Sequence, residues 1–220
     1  MAQNSKNACA MSRGRRSGII LLSLVPAAVF IALEHSPIGP KWQLCFRSAG
    51  QASAYDFNKY HAKTFTVVNV VDGDTIDIDI PDGNQSCTRV RLWGVDTPET
   101  KSEQYGIMYF APEAAKLTDN STLGKEVVVY LDEGNRARDK YGRLLAYVQL
   151  PDRSYLNEVL LAEGYAYADL RFRHSFYNKY IQLEAAARSL KKGLWQGVKR
   201  EQMPLWLQRE KPTFLLKRSK

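Results

Sequence analysis

Short segments with the pattern of half-buried β-strands constrain the fold of this chain most. In Thr75–Ile80, three isoleucines alternate with Asp77 and Asp79, so one face is apolar and the other is charged. Four more segments are rich in β-branched or apolar residues and are bounded by turn residues. The five predicted strands are Thr64–Val71, Thr75–Ile80, Cys87–Val95, Lys125–Leu131 and Arg143–Leu150.

Three segments with the apolar spacing of helices are interleaved with these strands. They are Tyr109–Leu117, Tyr155–Glu163 and Ser175–Lys192, and glycines follow the second and third, as at a helix C-cap. Five short strands with interleaved helices favour a small β-barrel of the oligonucleotide-binding (OB) type. We therefore predict an α+β fold in which a five-stranded OB-type barrel carries about three helices.

The positive charge of the chain is concentrated at its two ends. The 220 residues carry a formal net charge of +8. Residues 1–54 contribute +5 and residues 188–220 contribute +8, which leaves −5 for residues 55–187. Because the central part is acidic, its affinity for phosphates requires local clusters of cations or a bound metal ion.

The N-terminal part has the pattern of an export signal or a signal anchor. Arg13, Arg15 and Arg16 precede residues 18–33, an uncharged and mainly apolar run that we predict to be a hydrophobic helix. The run is at the short end of what spans a bilayer, and the arginines favour a cytoplasmic N-terminus. We predict an uncleaved single-span anchor, with a cleaved signal peptide and a buried soluble helix as alternatives. The protein would then be extracytoplasmic, either membrane-anchored or secreted.

These patterns divide the chain into four parts. Residues 1–35 form the basic stretch and the membrane segment. Residues 36–63 mix proline, glycine and serine without periodicity and are predicted to be a linker. Residues 64–197 form the folded domain and residues 198–220 a basic tail. We expect a monomer.

The cysteines and histidines argue against several kinds of site. The three cysteines, Cys9, Cys45 and Cys87, are too few and too widely spaced for a disulfide scaffold or for a zinc site built on paired cysteines. A single disulfide between Cys45 and Cys87 remains open. The three histidines are scattered and predict neither a metal-ligand pair nor a catalytic triad: His35, His61 and His174.

Three polar segments are candidates for chemistry. Asp72–Thr75 places two carboxylates and a hydroxyl in one tight turn, and Asp96–Glu99 places two more carboxylates after a strand, close to Arg91. Residues 132–142 form a long polar loop in which Lys140, followed by Arg143, is suited to bind phosphate. The alternatives are an ordinary turn, a solvated loop and a solvated basic turn.

Together these segments resemble the signature of a known family. Val71–Thr75, Arg91–Glu99 and Asp139–Tyr147 occur in the order and at the spacing found in the staphylococcal nuclease (thermonuclease) family. Tyr105-Gly106 and Ala111–Ala114, which lie between the second and third segments, also fit. The resemblance covers about residues 64–197.

The resemblance implies a calcium-dependent phosphodiesterase that cleaves DNA and RNA and leaves 3′-phosphates. It also implies a role for each matching residue. Asp74, Asp96 and the carbonyl of Thr97 would bind calcium, Arg91 and Arg143 would bind phosphate, Glu99 would be the general base, and Lys140 and Tyr141 would lie near a terminal phosphate. With two charged ligands, calcium should bind with a dissociation constant on the order of 10⁻⁴ to 10⁻³ M.

The chain departs from the family pattern at two positions. Where the family has two tyrosines lining the nucleotide site, this chain has Leu170 and Phe172.

Two other functions compete with the nuclease. The chief alternative is a noncatalytic OB-fold module that binds nucleic acid and is tethered to the membrane, because OB barrels often bind without catalysing. A weaker alternative is a membrane-attached scaffold whose basic tail contacts anionic lipid or nucleic acid. A binding module has no need of the whole catalytic set, so the set favours the nuclease.

Overall fold

The structure is a computed structural model that describes residues 54–101 and 106–211, all within one compact unit. The predicted membrane segment, most of the predicted linker, Cys45 and Tyr105 lie outside the described residues. The membrane anchor and the Cys45–Cys87 pairing therefore stay predictions. Among the helices that the structure describes, none has both the length and the apolar character needed to cross a membrane.

The core is a closed five-stranded barrel, so the predicted fold class is confirmed. Its strands follow one another around the barrel in the order β1-β2-β3-β6-β5, and β5 pairs with β1. Strands β3 and β6 are parallel, and the other neighbours are antiparallel. A separate two-stranded sheet of β4 and β7 accompanies the barrel. The strands within the described residues are β1 Lys63–Asp72, β2 Thr75–Ile78, β3 Thr88–Leu92, β4 Val95–Asp96, β5 Glu126–Tyr130, β6 Leu144–Gln149 and β7 Tyr167–Ala168.

The third predicted strand, Cys87–Val95, is in fact two strands. The chain turns at Gly94, which has a φ of +76°, and β4 then leaves the barrel to pair with β7 in a separate two-stranded sheet. A Cβ atom at Gly94 would lie 2.4 Å from Nε2 of His174, so only glycine fits against this histidine. The break places Asp96 on a strand outside the barrel.

The described residues contain five α-helices. The three predicted helices are present with shifted ends, and Pro112 lies in the first turn, where its missing N–H leaves no hydrogen bond unmade. Two short 3-10 helices follow the fourth, Gly193–Gln196 and Arg200–Gln202. The α-helices are α1 Ala54–Tyr60, α2 Ala111–Thr122, α3 Leu156–Ala162, α4 Tyr177–Ser189 and α5 Leu205–Glu210.

Helices α1 and α5 correct the predicted domain boundaries. Helix α1 lies in the predicted linker, yet its Tyr60 is fully buried in the main apolar core. Helix α5 lies in the predicted basic tail, and Leu207 and the preceding Met203 are each 1% exposed. A few buried apolar residues dock these segments. The folded unit therefore extends beyond residues 64–197 on both sides.

Candidate active site

The turn between β1 and β2 holds Asp74 in a fixed orientation. Its Oδ1 accepts a hydrogen bond from the hydroxyl of Thr75 at 3.0 Å, and its Oδ2 accepts one from the backbone N–H of Thr97 at 2.8 Å. Asp72 closes the turn by accepting a hydrogen bond from the N–H of Asp74 at 3.2 Å. The turn is therefore joined directly to the Asp96–Glu99 segment.

Close packing at Gly73 keeps this turn against helix α2. A Cβ atom at Gly73 would lie 2.8 Å from Oγ1 of Thr97 and 3.0 Å from Cβ of Ala114. The hydroxyl of Thr118, on the same helix as Ala114, donates a hydrogen bond to the carbonyl of Gly73 at 2.6 Å. A larger residue at position 73 would push the turn away from the helix and from Thr97.

Arg91 on β3 lies between the two predicted calcium-binding carboxylates. Its Nη2 donates a hydrogen bond to Oδ1 of Asp96 at 2.6 Å. Its Nη1 forms an ion pair with Oδ2 of Asp74. The guanidinium therefore bridges the two carboxylates.

Negative charge exceeds positive charge around Arg91. Burial and the neighbouring carboxylate of Asp74 raise the pKa of Asp72 to about 8. Burial also raises the pKa of Asp96, although Arg91 opposes it, and burial would raise that of Asp74 too, but Arg91 and the N–H of Thr97 hold the Asp74 pKa below its ordinary value. The pocket is therefore one in which additional positive charge would be favourable.

Glu99 lies beside this cluster with its side chain partly in water. Loss of solvent around the carboxyl group, together with the charges of Asp74 and Asp96, raises the pKa of Glu99. Arg91 and Arg143 oppose this rise. Glu99 therefore interacts electrostatically with four charged residues of the predicted site, Asp74, Arg91, Asp96 and Arg143.

Hydrogen bonds to Asp139 shape the loop of residues 132–142, which was predicted to bind phosphate. Its Oδ1 accepts hydrogen bonds from the backbone N–H groups of Tyr141 at 2.8 Å and Arg143 at 3.0 Å, and its Oδ2 accepts one from Nε of Arg143 at 2.7 Å. The guanidinium of Arg143 lies 5.4 Å, and the ammonium of Lys140 4.8 Å, from the ring centre of Tyr141. Both cations are therefore gathered around one exposed ring.

A cavity of about 300 Å³ joins Arg91 to this loop. Sequence reasoning expected four of its lining residues and missed most of the others. The expected ones are Arg91, Lys140, Tyr141 and Arg143, and those missed include Trp93, Arg136, Asp169 and Arg171. The cavity is small, and cations outnumber acids among its charged lining residues, which suits a phosphate group carrying an attached sugar and base.

Phe172 supplies an aromatic face at this cavity, whereas Leu170 packs against the barrel core. The Phe172 ring is 45% exposed and lies nearly parallel to that of Trp93, with 6.2 Å between ring centres. The guanidinium of Arg136 lies 5.5 Å from the Phe172 ring centre. Only one of the two positions that depart from the family pattern therefore faces the cavity.

The eight predicted site residues thus form two adjoining groups. Asp74, Arg91, Asp96 and Thr97 touch one another, and Lys140, Tyr141 and Arg143 share the cavity with Arg91. Glu99 lies beside the first group. His174, which was assigned no chemical role, lies in the cavity wall with Nδ1 3.1 Å from the hydroxyl of Tyr147, and burial lowers its pKa to about 4.

Asp169, Arg171 and Trp206 also belong to the surroundings of Asp96, and sequence reasoning missed them. Arg171 ion-pairs with Asp169 at 2.8 Å and lies 3.7 Å from Oδ1 of Asp96. Trp206, 110 positions after Asp96, donates a hydrogen bond from Nε1 to Oδ2 of Asp96 at 2.7 Å. No local pattern could have indicated a contact over that separation.

The fold is an OB-type barrel with a cluster of carboxylates and arginines at one cavity, and comparison with known proteins identifies its family. The family model for staphylococcal nuclease homologues matches residues 89–197. The chain is 33% identical to a thermonuclease of Staphylococcus hyicus over 179 residues, covering 80% of this chain and 96% of that protein. The chain belongs to the staphylococcal nuclease family, and its predicted class, a nuclease-type hydrolase, is confirmed.

Two further relatives agree with this classification. A thermonuclease of Staphylococcus intermedius is 36% identical over 135 residues, covering 61% of this chain and 77% of that protein. The SPbeta prophage-derived endonuclease YokF of Bacillus subtilis is 34% identical over 132 residues, covering 59% of this chain and 43% of that protein.

Proposed function

We propose that the protein is a calcium-dependent nuclease that hydrolyses phosphodiester bonds in DNA and RNA outside the cytoplasm and leaves 3′-phosphate ends. One observation carries the proposal most strongly. Arg91 lies between Asp74 and Asp96 and lines the same cavity as Arg143 and Lys140. Two guanidinium groups beside a carboxylate cluster suit a phosphodiester held next to a divalent cation.

The chemistry of the donor atoms fits calcium. Asp74 and Asp96 would hold the ion through carboxylate oxygens and Thr97 through its backbone carbonyl, all of them hard oxygen donors. Within residues 54–101 and 106–211 no group of three or more His, Cys, Asp or Glu side chains is arranged to hold a metal ion, so water and phosphate would have to complete the coordination. When bound, calcium would supply charge stabilisation at the phosphate and a polarised water molecule.

The residues of the chain account for the remaining steps. Arg91 and Arg143 both line the cavity, so their two guanidinium groups would neutralise charge on the non-bridging phosphate oxygens. Glu99 accepts the proton of the attacking water, and its raised pKa brings it nearer to neutral pH, where a general base is most effective. Lys140 and Tyr141 hold the terminal phosphate of the substrate.

The test is hydrolysis of single-stranded DNA and RNA by the full-length chain in mild detergent, with calcium or with EGTA. We expect cleavage only with calcium, with 3′-phosphate ends, and a loss of at least about a hundredfold in Glu99→Gln and in Arg91→Ala. Matched controls are Glu126→Gln and Arg153→Ala, which alter residues on another surface of the barrel and should leave cleavage unchanged.

The same assay separates the nuclease from a noncatalytic module. A chain that binds oligonucleotides in calcium but does not cleave them would contradict the proposal and favour the module. Cleavage that persists in EGTA would contradict the calcium dependence alone. Cleavage that survives in both site variants would remove Glu99 and Arg91 from the mechanism.

The extracytoplasmic location rests on the N-terminal sequence, with its arginines ahead of residues 18–33. An epitope tag after Lys220 tests it in right-side-out membrane vesicles. We expect added protease to remove the tag, and an uncleaved anchor to keep the protein in the membrane fraction after an alkaline wash. Protection of the tag from protease would contradict this part of the proposal.

A further inference from the structure

The segment Met203–Glu210, which we call the C-terminal clasp, packs against the part of the protein that carries Asp96. Met203 and Leu207 are buried in an apolar cluster that includes Tyr167 and Trp195. Tyr167 lies on β7, directly opposite Asp96 on β4. The clasp therefore contacts the two-stranded sheet from which Asp96 projects.

Both oxygens of the Asp96 carboxylate have a strong donor. Trp206 of the clasp donates its indole N–H to Oδ2 at 2.7 Å, and Nη2 of Arg91 donates to Oδ1 at 2.6 Å. Two donors on opposite oxygens fix the rotation of the carboxylate about its Cβ–Cγ bond. Each oxygen can accept a further partner because a carboxylate has about four lone-pair positions.

A salt-bridged arginine holds the Trp206 ring in place. The guanidinium of Arg171 lies 4.8 Å from the ring centre. Asp169 fixes that guanidinium through two hydrogen bonds of 2.8 Å, from Nε and Nη2. The Trp206 ring therefore makes a cation–π contact in addition to its hydrogen bond to Asp96. The two interactions together determine the orientation of the ring.

We propose that Trp206 is a positioning residue for Asp96 and that the C-terminal clasp is part of the nuclease site. The inference rests on the proposed function, since it requires calcium to bind at Asp74 and Asp96. Without the indole N–H, one of the two hydrogen bonds that fix the Asp96 carboxylate is lost, so the carboxylate rotates more freely and calcium binding must restrict it again. Partners that orient a metal ligand typically contribute 10- to 100-fold to metal affinity or activity.

Calorimetric titration of calcium into the Trp206→Phe variant tests this directly, because phenylalanine keeps an aromatic ring but removes the N–H. We expect the dissociation constant of the full-length variant to rise at least about tenfold. The matched control is Trp195→Phe, the same change in the same apolar cluster at an indole with no hydrogen bond to Asp96. The control should lower the melting temperature without weakening calcium binding.

Unchanged calcium affinity in Trp206→Phe would show that the clasp is merely structural and would overturn the proposal. Tighter binding in this variant would overturn it too, because Trp206 would then compete with the metal for Asp96.

Limited proteolysis provides a second readout that needs no substrate. If Trp206 favours calcium binding, calcium must by linkage strengthen the clasp to the same extent. We expect calcium to slow trypsin cleavage after Lys199 and Arg209, and to have no such effect in Asp96→Asn. Faster cleavage with calcium in the wild-type chain would contradict the proposal.

The wild-type titration separates failure of the clasp from failure of the proposed function. If the wild-type chain binds no calcium and cleaves nothing, the nuclease proposal fails and the clasp proposal fails with it. If the wild-type chain binds calcium and cleaves DNA while Trp206→Phe binds calcium equally well, only the clasp proposal fails.

Discussion

Two clusters on this barrel have the same composition, one arginine and two aspartates, but differ in how completely the charges are satisfied. Arg138 binds Asp56 of α1 and Asp82 of the turn after β2. Arg91 binds Asp74 and Asp96. The first cluster fastens parts of the fold together, and the second lies at the nuclease site.

The Arg138 cluster uses all the donors of its guanidinium. Its Nε and Nη2 donate to Oδ1 of Asp56 at 3.1 and 2.8 Å, and its Nη1 donates to Oδ2 of Asp82 at 2.6 Å and to the carbonyl of Gly142 at 2.8 Å. These bonds join α1, the turn after β2 and the loop of residues 132–142. The cluster is a completed structural link.

The Arg91 cluster is incomplete in charge. The carboxyl groups of Asp72 and Glu99 lie around the same guanidinium, and both have raised pKa values. Folding therefore gathers more carboxyl groups here than the neighbouring cations balance. A divalent cation would supply the missing positive charge beside a phosphate ester, which is why the incomplete cluster indicates function and the complete one indicates stability.

The largest effect should follow from Arg91→Lys, which keeps the charge but removes the planar fork. A compact ammonium has three donors but cannot reproduce the width of the planar fork that bridges Asp74 and Asp96 beside a phosphate, so we expect kcat to fall about 10²- to 10³-fold, with a much smaller effect on stability. Steady-state kinetics and thermal melting of the variant measure the two effects. A kcat within tenfold of the wild type would show that the guanidinium fork is not used in catalysis.

A buried acid outside both clusters gives the next largest effect. Burial raises the pKa of Glu184 on α4 to about 7 from 4.5, and the carboxyl group accepts a hydrogen bond from the N–H of Ala168. The stability it contributes is therefore complete below about pH 4.5 and is lost as pH rises through 7. We expect Glu184→Gln to be up to about 3 kcal/mol more stable than the wild type at pH 8.5.

Urea unfolding at pH 4.5 and pH 8.5 measures this pH dependence. At pH 4.5 the free energies of unfolding of Glu184→Gln and the wild type should differ little. For the control Glu126→Gln, at an exposed position, the difference from the wild type should be the same at both pH values. A Glu184→Gln variant that gains no stability at pH 8.5 would mean that Glu184 ionises without cost in the folded protein.

Breaking the complete cluster should reduce stability and leave the metal site intact. Arg138→Ala leaves Asp56, which is 7% exposed, without its guanidinium, so we expect a loss of about 2 kcal/mol in the free energy of unfolding. Calcium affinity should stay within about twofold of the wild type. Urea unfolding and calcium titration check this, with Arg153→Ala as the control. A loss of calcium affinity in Arg138→Ala as large as the loss in Asp74→Asn would erase the distinction between the clusters.

The smallest effect concerns the aromatic face of the cavity. If a base of the substrate stacks on Phe172, Phe172→Ala should raise KM for an oligonucleotide about fivefold with little change in kcat, equivalent to about 1 kcal/mol. Phe172→Tyr should retain the wild-type KM because it keeps the ring. An unchanged KM in Phe172→Ala would place the base elsewhere.

Local sequence was sufficient for the barrel and for much of the candidate site. The apolar and polar residues that alternate in Thr75–Ile80 are close together in the sequence, and so are the residues of the Asp72–Thr75 turn. The local geometry of both segments therefore follows from short-range patterns. Local patterns placed carboxylates in a turn and at a strand exit next to Arg91, whereas the assignment of Asp74, Asp96 and Thr97 as calcium ligands depended on the family resemblance.

Contacts between distant segments could not be predicted in this way. Arg138 lies 82 positions from Asp56, and Trp206 lies 110 positions from Asp96. Proline, glycine and serine without periodicity indicated a linker in the region of α1, and an excess of basic residues indicated a tail in the region of α5. Their docking depends on tertiary contacts such as the burial of Tyr60 and Leu207, for which the sequence has no periodic signal.

Calorimetric titration of calcium into the wild-type chain, Asp74→Asn and Asp56→Asn tests the central claim most directly. The account predicts one ion bound by the wild type with a dissociation constant on the order of 10⁻⁴ to 10⁻³ M. Asp74→Asn should lose this binding, whereas Asp56→Asn, which alters the complete cluster, should retain it. No binding by the wild type, or equal binding by Asp74→Asn, would contradict the claim that the incomplete cluster around Arg91 is a metal site.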